Sequence, residues 1–427
     1  MTILIVMMAL VALILVGVPI AIALGTVGMV AIWLMFGEHF LLNVALAMYE
    51  GATKFPLIAI PLFVLAGSIM NRTGISRRLI DFASALIGFV RGGLAMVNVG
   101  VSMFFAEISG SAVADVAATG SVLIPAMKRK GYPGRFAAAL TSSSASLAII
   151  IPPSIPMILY AVIAQTSVVQ LFVAGVVPGL IGGFGMMLLS YVLARRMGLP
   201  AEEIFQLRRV WETFKAAAWA LTLPVIILGG ILGGIVTATE GAGVAVAAAL
   251  IIGLGIYRDL SLRDLIDSLV ESASQTAVVM MLVAASAVVG MYLTMDGIPQ
   301  RLAQEILAFT QNPYAILALM NALFLIIGMI LHSASAIILV VPIVMPLVTL
   351  VGIDPVHFGI LVTLNLAIGQ QTPPVASVLM TACSIAREDV WSVTRTNLPF
   401  IALLLALLML VTYVPFISMG LVEAFYR

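Results

Sequence analysis

Long apolar stretches recur along this 427-residue chain and alternate with short polar segments. About 20 apolar residues are enough to cross the hydrocarbon core of a bilayer. The stretches lack the strand-like alternation of a membrane barrel, and lipid gives the backbone no partners outside a helix. The pattern predicts an all-α polytopic membrane protein. The predicted spans are residues 3–36, 53–71, 94–125, 136–165, 170–194, 216–237, 240–256, 272–294, 313–349, 357–386 and 397–420.

The composition agrees with this prediction. Hydrophobic residues make up 63% of the chain and charged residues 9%, and the mean hydropathy is +1.21. A soluble domain carries roughly 25% charged residues. The net charge of +1 gives no reason to expect a nucleic-acid partner, and the single cysteine, Cys383, excludes an intrachain disulfide. The first stretch lacks a basic start and a small-residue cleavage site, so we expect a retained span rather than a signal peptide.

Two blocks of sequence occur twice, which predicts an internal repeat. The block at residues 67–79 recurs at residues 290–302, at an offset of 223 positions. A second block recurs at a constant offset of 221 positions. Its matched pairs are Pro125 with Pro346, Gly131 with Gly352, Leu140 with Leu361, Pro152 with Pro373, and Pro153 with Pro374.

Loop charges predict that the two repeats cross the membrane in opposite directions. Residues 128–135 carry four basic residues, whereas the matching residues 349–356 carry none. Residues 72–78 carry three, and their match at residues 295–301 carries one. Short cytoplasmic loops are enriched in Lys and Arg. The first-half loops are therefore expected in the cytoplasm and the second-half loops in the periplasm, as in inverted-repeat transporters.

We divide the chain into a first repeat, residues 1–215, and an inverted second repeat, residues 216–427. Each is expected to contain scaffold spans, an amphipathic arm helix, a re-entrant hairpin and a broken helix. Ordinary interfacial linkers remain an alternative for the arms. The expected arm, hairpin, broken helix and cytoplasmic linker of the first repeat are residues 74–88, 94–125, 136–165 and 195–215. Those of the second repeat are an arm at 297–310, a hairpin at 331–349, a broken helix at 357–386 and a final span.

Two Pro-Pro pairs at matched positions predict broken helices at the centre of the bilayer. Proline removes a backbone donor and clashes with the preceding turn. Freed carbonyls can bind a cation, and a half-helix N-terminus can face an anion. A packing kink is the alternative at either break alone. The candidate substrate-binding residues are Ser142, Ser146, Pro152, Pro153, Ser154, Asn365, Gln370, Gln371, Pro373 and Pro374.

Small polar residues upstream of each break suit the tips of the two hairpins. They are residues 109–115 and 332–335. Small-residue helix packing is the alternative. Ionisable residues inside a membrane need a partner or a function, and the roles of Glu107, Asp115 and His332 stay open. Glu240 suits the start of a helix.

Several enzyme classes are not indicated. The dipeptide Gly-Lys does not occur, so there is no Walker A loop. Three scattered histidines form no metalloprotease motif, and no histidine is near the serine cluster at residues 142–146 in the sequence. We expect no enzymatic activity.

The chain resembles the large membrane subunit of TRAP transporters, the tripartite ATP-independent periplasmic transporters. The resemblance rests on SGSAVADVAATGSVLIPAMKRKGYP, the SSSAS…IPPSIPM break, TATEGAG around Glu240 and LNLAIGQQTPPV, and it extends over essentially the whole chain. It implies a large permease subunit of a sodium-driven importer of organic acids, such as C4-dicarboxylates or sugar acids. It also implies an elevator-type, ion-transporter-like fold in the bacterial inner membrane.

The same resemblance implies partners and sodium sites. The expected partners are a small four-span membrane subunit and a periplasmic substrate-binding protein. Sodium is the expected coupling ion, and no other metal is expected. The implied sodium positions are Ser109, Gly110, Ser111, Ser144, Ser333, Ser335, Gly369 and Thr372. The alternatives are a stand-alone sodium/dicarboxylate symporter and a membrane scaffold that transports nothing.

Overall fold

The computed structural model describes residues 6, 8–10, 12, 13, 16–199 and 205–426, without the side chains of residues 76 and 107–109. The residues outside the described part include 3–5, 7, 11, 14 and 15 of the first predicted span and 200–204 of the predicted linker. The side chains of Glu107 and Ser109 also lie outside it. Eight helices within it are long and apolar enough to cross a membrane. This agrees with the polytopic helical protein that the sequence predicts.

The first half contains one hairpin and one broken helix among its helices. Short 3-10 turns occur at Glu38–Phe40, Phe55–Ile58 and Ser146–Ile149, and a π-turn at Val116–Gly120. The α-helices are α1 (Ile20–Phe36), α2 (Leu41–Ala52), α3 (Ala59–Arg72), α4 (Ile75–Ile87), α5 (Gly93–Ser109), α6 (Ala112–Asp115), α7 (Ser121–Arg129), α8 (Gly134–Ala145), α9 (Ile155–Ile163) and α10 (Val168–Arg196).

The second half contains the corresponding elements. A π-helical segment at Ile251–Ile256 extends its second helix. The α-helices are α11 (Leu207–Leu232), α12 (Ala238–Leu250), α13 (Leu262–Met295), α14 (Ile298–Phe309), α15 (Pro313–Ile330), α16 (Ser333–Leu350), α17 (Pro355–Gly369), α18 (Ser377–Ala386), α19 (Val390–Tyr413) and α20 (Phe416–Tyr426).

The helices pack in two groups. In one, which we call the scaffold group, α13 packs against α1, α2 and α3, and α12 packs against α3 and α11. In the other, the hairpin group, α8 packs against α5, α18 and α19, and α17 packs against α15, α16 and α19. The predicted arms 74–88 and 297–310 are α4 and α14. Helix α4 contacts both groups through α11 and α5, and α14 contacts both through α13 and α16.

Side-chain caps fix the starts of two scaffold helices. Thr237 and Glu240 form a capping box at the start of α12, where Glu240 accepts from the Thr237 backbone N–H at 2.8 Å. Ser261 and Asp264 do the same for α13. Such reciprocal bonds satisfy backbone donors that the first helical turn leaves unpaired. Glu240 therefore stands at a helix start, as its sequence context predicts.

Two boundaries differ from the sequence prediction. The single span predicted at 3–36 is wrong, because the chain turns at residues 16–19 before α1 begins. Gly17 has φ +91°, which favours glycine, and Pro19 immediately precedes α1. The predicted hairpin at 331–349 corresponds only to α16, the second arm of a longer hairpin whose first arm is α15.

The two broken helices run antiparallel. At one end of the molecule, the Tyr160 hydroxyl in α9 donates to the Pro355 carbonyl, which begins α17, at 2.6 Å. At the other end, the Lys128 ammonium before α8 donates to the Ala386 carbonyl, which ends α18, at 2.9 Å. The start of each broken helix therefore lies near the end of the other. An inverted repeat requires this arrangement, although the division at residues 215 and 216 stays a prediction.

Candidate functional site

The first hairpin turns at Gly110 and Ser111, between α5 and α6. Gly110 has φ +55°, and a Cβ there would approach the Pro153 carbonyl and the Ile155 N–H to 3.2 Å. Both the backbone conformation and the close approach favour glycine. The Gly110 carbonyl accepts from the Ile155 N–H at 3.4 Å. The tip of this hairpin therefore rests on the first helix break.

The second hairpin turns at Leu331 and His332, and α16 begins at Ser333. The Met329 carbonyl, near the end of α15, accepts from the Val375 N–H at 3.1 Å. Residue 375 lies just after the second break, so this hairpin also contacts the break of its own half. Both predicted breaks are present, and the bonds between Pro152 and Pro153 and between Pro373 and Pro374 are cis.

A cavity of about 810 Å³ separates the hairpin tips from scaffold helix α13. A small chamber of about 80 Å³ adjoins it and shares four lining residues with it: Ser111, Gln275, Val279 and His332. The larger volume is within the range of small-molecule binding sites. The polar residues that line the larger cavity are Asn71, Ser111, Glu271, Ser274, Gln275, His332 and Ser377.

Of the eighteen residues predicted to bind sodium or substrate, three line these spaces: Gly110, Ser111 and Ser333. Others lie close by within the protein interior. Ser335 is buried in α16, and the Thr372 hydroxyl donates to the Ile368 carbonyl at 2.9 Å. The Ser154 hydroxyl donates to the Ile149 carbonyl at 2.8 Å. These three residues therefore lie at the breaks and near the second tip without lining the cavity or the chamber.

Ser144 belongs to a buried polar cluster between α5 and α8. Its hydroxyl lies 3.0 Å from the Ser102 hydroxyl and donates to the Asn98 side-chain oxygen, Oδ1, at 3.2 Å. Asn98 donates in turn to the Thr141 hydroxyl at 2.6 Å. The neighbouring Ser142 hydroxyl has no hydrogen-bond partner among the described residues.

Asn365 occupies the equivalent place in the second half. Its amide donates to the Asn321 oxygen at 2.8 Å, and Asn321 donates to the Thr412 hydroxyl at 2.9 Å. Asn98 and Asn321 are 223 positions apart, the offset of the first repeated block. Each therefore joins a hairpin arm to the broken helix of its own half, at matched positions that the sequence prediction missed.

The two broken helices are joined by a buried network around Gln371. The Gln371 Oε1 atom lies 2.6 Å from the Ser143 hydroxyl, and its Nε2 donates to the Ser146 hydroxyl at 2.6 Å. Asn397 of α19 donates to the same Oε1 atom at 3.3 Å. Both polar atoms of the Gln371 side chain are therefore hydrogen-bonded. Gln370 is buried beside it, and its Nε2 atom has no described partner.

Asp115 ends the short helix α6 behind the first tip. The residue is completely buried, and neither carboxylate oxygen has a hydrogen-bond partner in the described part of the chain. Helix α6 packs against the 3-10 turn Ser146–Ile149 and against α18. An uncompensated carboxylate is costly to bury, so this position calls for a bound cation or a proton.

The cavity also uses residues that sequence reasoning did not select. Glu271, Ser274 and Gln275 belong to a polar run at residues 268–276 of α13, inside an otherwise apolar span. This polar run was the sequence feature that could have indicated the cavity, because polar residues within a span usually face a cavity or another helix. The Arg72 guanidinium donates to Glu271 at 3.1 Å and lies 3.5 Å from Asp267. Ser377 begins α18, and its hydroxyl lacks a described partner.

A family model described as the DctM component of the tripartite ATP-independent periplasmic transporters matches residues 7–417. The isethionate TRAP transporter permease DctMQ of Oleidesulfovibrio alaskensis is 42% identical over 95% of the chain. The chain spans only 64% of that protein. The C4-dicarboxylate TRAP transporter large permease DctM of Pseudomonas aeruginosa is 40% identical over 93% of both chains.

A solved structure supports the fold. The YdaH transporter of Alcanivorax borkumensis superposes with a TM-score of 0.61 over 90% of both chains, at 16% sequence identity. At this level of identity, the likeness concerns the fold alone. It agrees with an all-helical, polytopic transporter architecture.

Proposed function

Because this chain belongs to the DctM family of TRAP transporter large permease subunits, we propose that it imports an organic acid, driven by a sodium gradient. The family places it in the inner membrane as a multi-pass transport protein rather than an enzyme. The observation that carries the proposal is the cavity between both hairpin tips and α13. A binding site lined by parts of two helix groups is what alternating access requires.

The residues around the breaks fit a sodium ion. Sodium is a hard cation and is bound by oxygen atoms, including carbonyls of unwound helices. The Asp115 carboxylate, the Ser142 hydroxyl and the Asn365 side-chain oxygen, Oδ1, are buried oxygens without described partners. They lie on the three segments α6, α8 and α17 that meet the tips and breaks. A sodium ion beside Asp115 would compensate its charge.

The relatives support an organic anion as the substrate. One is named for isethionate and another for C4-dicarboxylates, and both compounds are small acids. The hydroxyls and amides that line the cavity can donate hydrogen bonds to such anions. The cavity reaches from the tips to Asn71 and Glu271, beside the loop at residues 72–78. Since loop charge predicts this side to be cytoplasmic, we assign the structure to an inward-open state.

We propose an elevator movement of the hairpin group against the scaffold group, with α4 and α14 as the connecting arms. The proposed partners are a small four-span membrane subunit and a periplasmic binding protein. The fused DctMQ relative and the tripartite family description support these partners. The binding protein would deliver the acid to the cavity from the periplasmic side.

The test is uptake into proteoliposomes that contain the chain and its small subunit, with the binding protein added outside. We expect uptake of an organic acid only with an inward sodium gradient and only with the binding protein. Uptake that persists without sodium contradicts ion coupling. Uptake without the binding protein indicates a stand-alone symporter. No uptake of any acid, with both partners shown to be bound, indicates a non-transporting scaffold.

A further inference from the structure

We propose that His332 binds the negative group of the transported acid, and that the cavity selects monovalent acids with neutral polar groups over dicarboxylates. This rests on the proposed function and adds the substrate class and a specificity-determining residue. His332 lies at the turn between the two arms of the second hairpin. It lines both the cavity and the chamber, and its side chain is exposed to them.

Within the described part of the chain, no hydrogen bond of the His332 ring holds the hairpin together. His332 directly precedes α16, but its side chain makes no capping bond to that helix. Its backbone carbonyl, by contrast, accepts from the Ala336 N–H at 3.0 Å. Imidazole carries an N–H donor in either neutral tautomer. The ring is therefore free to donate a hydrogen bond into the cavity.

The other ionisable residue that lines the cavity is Glu271, among the residues whose side chains are described. Its carboxylate accepts from Arg72, which also lies near Asp267. Two carboxylates thus share one guanidinium, so the cluster of Arg72, Asp267 and Glu271 beside the cavity carries one negative charge in excess. Arg72 is already paired with these carboxylates. No lysine or arginine is found among the described lining residues. An entering anion therefore meets its best donor at His332.

The remaining polar lining residues are neutral, and three of them belong to the scaffold group. Gln275 and Ser274 project from α13, and Asn71 lies near the end of α3. Gln275 lines both the cavity and the chamber, as His332 does. Neutral amides and hydroxyls suit the hydroxyls of a hydroxy acid. A second carboxylate would instead approach Glu271 and be repelled by its negative charge.

The experiment compares glycerate and gluconate with malate and succinate as probes. Each is added with sodium to the purified complex of the chain and its small subunit, and binding is followed by the shift in melting temperature. We expect the two monovalent acids to bind at least about tenfold more tightly than the two divalent acids. This comparison uses the wild-type chain, so it does not depend on the folding of any variant.

His332→Leu should weaken glycerate binding about tenfold or more, the loss expected for one hydrogen bond to a charged group. His332→Gln, which keeps an N–H donor, should recover most of it. The matched control is His39→Leu, at an exposed histidine of the 3-10 turn Glu38–Phe40, which should bind like wild type.

Two results overturn the inference and leave the proposed function intact: tighter binding of malate or succinate than of the monovalent acids, or wild-type binding by a folded His332→Leu. If no probe binds the wild type in sodium, and no acid is taken up in the proteoliposome test, the proposed function and this inference fall together.

Discussion

At the residue scale, Asp115 is the group whose environment is hardest to explain without a ligand. Its carboxylate is fully buried, and both oxygens lack partners among the described residues. Hydrogen bonds or a nearby cation normally compensate a buried charge. We therefore expect Asp115→Asn to weaken sodium binding about tenfold or more, because a contact with a charged group contributes about 1.5–3 kcal/mol. Sodium titration of acid uptake in proteoliposomes measures this.

A matched control for this variant is Asp81→Asn, at an exposed carboxylate of the arm α4. It removes the same charge away from the breaks and should leave the sodium dependence unchanged. If Asp115→Asn also keeps the wild-type sodium affinity, Asp115 carries a proton instead of facing sodium. Its role would then be structural.

The sequence located the tips and breaks, but it did not locate the side chains that hold them. Pro-Pro pairs and glycines are informative in a sequence because proline restricts the backbone, whereas glycine allows conformations that other residues avoid. Asn98 and Asn321 are single amides within apolar helices, and their importance depends on which neighbours they meet. Those neighbours, Thr141 and Thr412, are distant in the chain. Only the shared offset of 223 positions hinted at them.

At the element scale, the crossing of α15 and α17 depends on two glycines. A Cβ added at Gly369 would lie 2.5 Å from the backbone carbonyl carbon of Gly328, closer than atoms can pack. Close helix approach through small residues is common in membranes. The structure therefore gives Gly369, predicted to bind sodium, a packing role beside the second break.

We expect Gly369→Ala to force α15 and α17 apart and to destabilise the protein by about 1–3 kcal/mol, the typical cost of overpacking. The control is Gly290→Ala in α13, where no heavy atom outside the local helix lies within 4 Å of the added Cβ. That variant should be neutral or slightly stabilising, because alanine favours a helix. Melting temperatures of the two purified variants test this difference. Equal melting temperatures would show that the crossing tolerates a methyl group.

Element boundaries were predicted well where the apolar pattern itself ends at a helix-breaking residue. They were predicted poorly where apolar sequence continues on both sides of a turn. The arms at 74–88 and 297–310 match α4 and α14 within about one residue at each end. The short helix α2 was missed, because its 12 residues are too few for a span. The turn before α1 was missed as well, because apolar residues continue on both sides of Gly17 and Pro19.

At the scale of the whole molecule, the antiparallel broken helices put the loop at residues 128–135 and the loop at residues 349–356 at opposite ends. The contacts of Lys128 with Ala386 and of Tyr160 with Pro355 fix these ends. Loop charge predicts which end faces the cytoplasm, since four basic residues lie in one loop and none in the other. The orientation of the cavity, and the proposed direction of transport, depend on this assignment.

Single-cysteine labelling tests this orientation directly. Cys383 is the only cysteine, so Cys383→Ser gives a background without thiols. Lys130→Cys and Leu350→Cys place one thiol in each loop region, at exposed positions that avoid the positive-φ glycines beside them. With a membrane-impermeant reagent added to intact cells, we expect labelling at position 350 and protection at position 130. Opening the inner membrane should expose both.

If both positions react in intact cells, or both only after opening, the two halves do not cross the membrane in opposite directions. The inward-open assignment of the cavity would then lose its basis.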